Sequence, residues 1–210
     1  CLVMTGPNAG GKTVALSTVG LCAVMTRFGL PIPVQAHSQV PVYDQIFCVM
    51  GDSQSIAANL STFTGHLQKL SGILERVDER TLVLLDELGT GTDPDQGAAL
   101  AEAILEKLAG GGCHVVVTTH YERLKGLALK DPRFANISFQ LDEQWEPTYR
   151  LRWGSPGGSY ALKIALRCGL PKDLIDRAES LLSPEQDRME KALAELEMRQ
   201  NEIEHARAEL

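Results

Sequence analysis

The chain opens on CLVMTGPNAGGKTVAL, residues 1–16, and the reading of this stretch decides the fold. A short apolar run leads to Gly6, four residues intervene, and Gly11-Lys12-Thr13 then opens a helix-compatible segment. The order is strand, phosphate-binding loop, helix. Glycines let successive backbone N–H groups turn inward as an anion nest, and the following helix aims its positive end at the same place. Gly6, Pro7, Asn8, Ala9, Gly10 and Gly11 form the cradle, with Val14 just past it. Lys12 supplies a point charge for the β- and γ-phosphates, and the Thr13 hydroxyl is placed to ligate Mg²⁺. The loop is therefore expected to bind a nucleotide.

The bulk properties bound what else the chain can do. Its 210 residues suffice for one domain with an appendage. It starts at Cys1, inside the first expected strand, which reads as an excised fragment. No apolar run is long enough to span a membrane. Cys1, Cys22, Cys48, Cys113 and Cys168 are scattered and odd in number, without CxxC spacing. They read as reduced core residues of a cytoplasmic protein. A net charge of −7 argues against a DNA-binding face on this chain alone.

Beyond the loop, strand and helix patterns alternate. A helix is expected to about Arg27, then a Pro-rich irregular stretch over 30–39, then a strand in VYDQIFCVM (42–50). Leu67, Leu70, Leu74 and Val77 recur at helical spacing. TLVLLDE (81–87) and HVVVTTH (114–120) are continuously apolar, as parallel strands buried on both faces are. Between them a helical stripe of Leu100, Ile104 and Leu108 stops at a glycine run. The pattern predicts an α/β domain with a mostly parallel sheet flanked by helices.

In such sheets the ligand lies beyond the carboxyl ends of the strands. Three runs end in chemistry: one in the glycine loop, one in Asp86-Glu87, one in His120. Asp86 suits a Mg²⁺ held through its water shell, and Glu87 suits the base that orients and deprotonates an attacking water. His120, after the third strand, is expected to sense the γ-phosphate.

GPNAGGKT, STF, LVLLDELGTGTDP, GAALA and TTHY together resemble the ABC-type ATPase domain of the MutS family. GDSQSIAANLSTFTGHL and DELGTGTDPDQGAAL are most similar to its second bacterial branch, and the likeness runs from Leu2 to about Leu182. The resemblance implies a P-loop fold, ATP or ADP with Mg²⁺, and two nucleotides shared across a head-to-tail homodimer. It implies that Ser61 reaches the γ-phosphate in trans, that Asn8 lies near the phosphates, and that Asp93, in the D-loop segment, contacts the partner. Ser61 is also a natural N-cap, and a helix start attracts phosphate by itself. His66 stands where the mismatch-repair branch has Glu, so a role built on that Glu does not carry over.

The expected organisation is an ATPase domain over 1–154, a helix-turn-helix dimerisation element over 155–182, and the start of a helical arm over 183–210. The second element is read from a CGLP turn (168–171) and a helix carrying Leu174, Ile175, Ala178 and Leu181. In the tail Met189, Leu196, Ile203 and Leu210 repeat every seven residues, while Leu193, Gln200 and Arg207 leave the seam half made. Two functions compete: a Mg²⁺-dependent ATPase that drives a larger machine, and a nucleotide-gated dimerisation module with negligible turnover. Glu87 favours the first, because mere binding needs no base. The resemblance implies DNA processing (branched DNA, restraint of recombination) or ribosome rescue by splitting, with DNA or ribosome held elsewhere in the parent protein. It places any endonuclease outside this chain.

Overall fold

The computed structural model describes residues 1–7, 10–50, 59–141, 146–154, 156–158 and 161–182. The chain divides into two units, Cys1–Met4 with Lys12–Asn136, and Thr5–Gly11 with the chain from Ile137 onward.

The first unit is built on the continuously apolar runs. Strand β3 (Thr81–Leu85) is buried at every position, and β4 (His114–Thr118) at all but its first. β1 (Leu2–Thr5) and β2 (Gln45–Val49) complete a parallel set in the order β2-β3-β4-β1. Val3 lies opposite Val117, and Leu85 opposite the same residue from the other side, so β1, β3 and β4 end within two residues of one another. The helices are α1 (Lys12–Arg27), α2 (Asn59–Leu74), α3 (Pro94–Gly110), α4 (Glu122–Lys125) and α5 (Leu127–Lys130). The core joins Val83, Leu85, Val115 and Val117 of the strands to Leu70 and Ile73 of α2 and Ala101, Ile104, Leu105 and Leu108 of α3. α3 starts where its sequence says it should: Asp93 accepts from the Gln96 N–H at 3.0 Å, Pro94 occupies the first turn, and Gly111 closes the other end.

Several sequence expectations shift in detail. The stripe of α3 is rotated: Leu100 is exposed, and Ala101 and Leu105 take the buried face with Ile104 and Leu108. Val77 lies beyond the end of α2, and β2 is shorter than its apolar run. All five cysteines are free, but only Cys113 is buried, and Cys48 and Cys168 are exposed. Among the described residues no helix is long and apolar enough to cross a membrane.

The second unit contains an antiparallel pair that the sequence reading did not find, β5 (Ala135–Leu141) and β6 (Pro147–Trp153). The strand pairing in the described residues is therefore mostly, not wholly, parallel. Two helices follow, α6 (Ala161–Arg167) and α7 (Lys172–Glu179). Ile175 is buried, whereas Leu166, Leu170, Leu174 and Leu181 are exposed. The heptad tail lies outside the described residues.

Candidate active site

In the first unit the groups expected to act on phosphate and metal gather at the strand ends. Lys12 opens α1 and is only 3 % exposed. Burial lowers its pKa to about 8; the nearby charges of Glu87 and Asp86 pull it back up, and that of Lys125 pushes it further down. An ammonium so enclosed has lost part of its hydration, and an anion beside it would favour its charged form. Thr13, one residue on, donates its hydroxyl to Asp86 Oδ2 at 2.9 Å. Two hard oxygens thus stand together, one neutral and one anionic, which fits a small divalent cation that keeps most of its water.

Thr118, fully buried at the end of β4, donates to the other Asp86 oxygen at 2.5 Å and accepts the Glu87 backbone N–H at 2.9 Å. Glu87 has a φ of +50°, a left-handed conformation that costs a side-chain-bearing residue about 1–2 kcal/mol. Its carboxylate Oε1 lies 2.9 Å from His120 Nε2, and both side chains are partly open to solvent. A carboxylate base with an imidazole on it, beside an oxygen pair suited to metal, is a constellation for activating water.

The loop after Glu87 is packed hard against α3. A Cβ on Gly89 (φ +87°) would fall 2.5 Å from the Gly97 carbonyl oxygen, and one on Gly97 would fall 2.3 Å from that of Gly89. Tyr121 donates its hydroxyl to the Gly89 carbonyl at 2.8 Å. GTGT was read only as part of the D-loop segment and Tyr121 only as the last residue of TTHY; neither pointed to this close approach. Asp93 serves as the cap of α3.

In the second unit the glycines of the phosphate loop are backed by aromatic rings that the sequence reading missed. Gly6 has a φ of +130°, and a Cβ there would sit 3.4 Å from Phe139; one on Gly10 would sit 3.3 Å from the same residue. Gly11, at φ +88°, lies under the Tyr149 ring, 3.3 Å from the position of its missing Cβ. Tyr149 is 73 % exposed and has its own left-handed φ of +56°. The loop entrance is fastened by Thr5, whose hydroxyl accepts the Gly157 N–H at 2.7 Å. Gly10 closes the turn by donating to the Pro7 carbonyl at 3.0 Å.

Other expected site residues stand apart from this geometry. Asn8 and Ala9 lie outside the described residues. Val14 points out, 68 % exposed. Ser61 falls inside the first turn of α2, which begins at Asn59, so it is not the cap that its residue type suggested.

Residues 2–185 match the family model described as MutS domain V. The chain is 47 % identical over 204 residues to the Endonuclease MutS2 of Lactiplantibacillus plantarum, covering 97 % of the chain and 26 % of that protein. It is 46 % identical over 210 residues to the Endonuclease MutS2 of Carboxydothermus hydrogenoformans, covering 100 % of the chain and 27 % of the relative. For that of Thermomicrobium roseum the identity is 49 % over 204 residues, with coverages of 97 % and 26 %. The chain therefore spans about a quarter of the length of the curated relatives it matches.

Proposed function

The chain belongs to the MutS family, as its domain V, and from that premise we propose that it hydrolyses ATP at sites completed by a second copy of itself. Gly6–Thr13 bind the triphosphate, and Lys12 regains its full charge against the phosphates. Thr13 and Asp86 would hold Mg²⁺, Asp86 through water, and the ion would supply positive charge against that of the phosphates. Glu87 accepts the proton of the attacking water, and His120 orients that carboxylate and reads the γ-phosphate. Tyr149, an exposed ring against the loop, offers the base a stacking surface. The observation that carries the reading is the Glu87–His120 pair set beside Asp86 and Thr13, because a module that only binds nucleotide has no use for a poised base.

The second copy is proposed because one chain carries one phosphate loop and one signature segment. Ser61 would reach the partner's γ-phosphate, and Asp93 would present the start of α3 across the interface. The exposed leucines 166, 170, 174 and 181 supply apolar surface for dimer contacts. Coupling to DNA, or to a ribosome, and any nuclease step would belong to parts of a longer protein. The test is Glu87→Gln, which keeps shape and removes the base. ATP binding should persist while turnover falls at least a hundredfold, by roughly the contribution of a general base. Unchanged turnover would remove Glu87 from its role.

A further inference from the structure

We propose that Thr118 and Tyr121 are positioning residues that clamp the left-handed turn at Glu87 from both sides and so fix the direction of its carboxylate. The inference rests on the ATPase reading for its consequence, but its structural content stands on hydrogen bonds alone. A hydroxyl has one proton to give. Thr118 gives it to Asp86 Oδ1, which leaves an oxygen lone pair for the Glu87 N–H at 2.9 Å. That anchors the turn on its upstream side. Downstream, Tyr121 gives its proton to the Gly89 carbonyl at 2.8 Å. Gly89 is in turn wedged against Gly97 with no room for a Cβ on either residue. Between these anchors the Glu87 carbonyl accepts both the hydroxyl and the N–H of Thr90, at 2.9 and 3.2 Å.

The anchors come from one short segment. Thr118 ends β4, Tyr121 lies three residues on, and between them His120 meets the Glu87 side chain at 2.9 Å. Residues 118–121 thus hold the base by its backbone before, by its carboxylate, and by its backbone after. A glycine would adopt the same φ more cheaply but has no carboxylate, so the strain stays and must be held by neighbours. Because the Tyr121 hydroxyl bonds the Gly89 carbonyl and not Asp86, Tyr121→Phe separates the clamp from a direct effect on Asp86.

The test uses Thr118→Val, Thr118→Ser and Tyr121→Phe in the chain as it stands. Steady-state kinetics with Mg²⁺ and ATP are read together with hydrogen exchange of the amides over 86–91. The clamp predicts kcat falling about 10- to 100-fold in Thr118→Val and Tyr121→Phe while KM stays within about twofold, since misplacing a reacting group by an ångström costs that much. Thr118→Ser should recover most of the rate. The 86–91 amides should exchange faster in the first two variants and return towards wild type in Thr118→Ser. Loss confined to Thr118→Val, with Tyr121→Phe unaffected, would overturn the clamp in favour of an effect on Asp86 alone. If the wild-type chain shows no turnover, the ATPase reading fails; the clamp is then judged on exchange, and undisturbed protection in Thr118→Val and Tyr121→Phe would overturn it too.

Discussion

Nucleotide binding should draw a proton onto Lys12, and the size of the effect follows from its burial. The side chain is 3 % exposed, and desolvation brings its pKa from 10.5 to about 8. Phosphate oxygens arriving beside the ammonium replace the lost hydration and restore the charged form. At pH 8 about half of the free protein lacks this proton, at pH 7 about a tenth, and at pH 9 about nine-tenths; each deficit is the uptake expected on binding. Titrating Mg·ADP calorimetrically in buffers of different ionisation enthalpy measures it directly. At pH 8 and above the nucleotide's own phosphates are fully ionised, so the protein is the acceptor. Lys12→Met should bind weakly and take up no proton. Uptake near zero at both pH 8 and pH 9, or undiminished in Lys12→Met, would refute the reasoning. The same shift fixes a stability trend. Below about pH 8 both folded and unfolded chains carry the proton, and the folded state bears the whole burial cost, about 3 kcal/mol. Between about 8 and 10.5 only the unfolded chain keeps it, so this group makes stability rise with pH.

Three further outcomes follow from the packing. Gly97→Ala would drive a methyl into the Gly89 carbonyl, 2.3 Å away, and should cost about 1–3 kcal/mol of unfolding free energy in a denaturant titration, with turnover lost alongside. Asp93→Ala removes the bond from the Gln96 N–H and should lower stability by about 1 kcal/mol in the same assay. Thr13→Ala takes one of the two oxygens proposed for Mg²⁺, and the Mg²⁺ concentration giving half-maximal turnover should rise severalfold.

How far the site was legible depended on whether its signal was local. The phosphate loop, the Asp86-Glu87 strand end and His120 are each marked by a few adjacent residues, and β3 and β4 are continuous apolar runs. The nearby ends of β1, β3 and β4 then followed from parallel pairing. β5 was hidden because its buried positions include Asn136 and Ser138, which are polar, and β6 because it leaves Tyr149, Leu151 and Trp153 exposed. The aromatic backing of the loop by Phe139 and Tyr149 depends on contacts more than a hundred residues away in sequence. Nothing in LDELG marks Glu87 as left-handed, since the residue type argues against it. Leu100 failed by one helical position: the buried face of α3 runs through Ala101, whose small apolar side chain gives a weaker signal than a leucine.

The central claim, an ATPase whose sites are shared between two copies, is tested most directly by the steady-state rate per subunit with Mg²⁺ over a wide range of protein concentration. The account predicts a specific rate that climbs with concentration and saturates as the dimer forms. A constant rate accompanied by monomeric mass throughout would contradict it, and would take from Ser61 its role in trans.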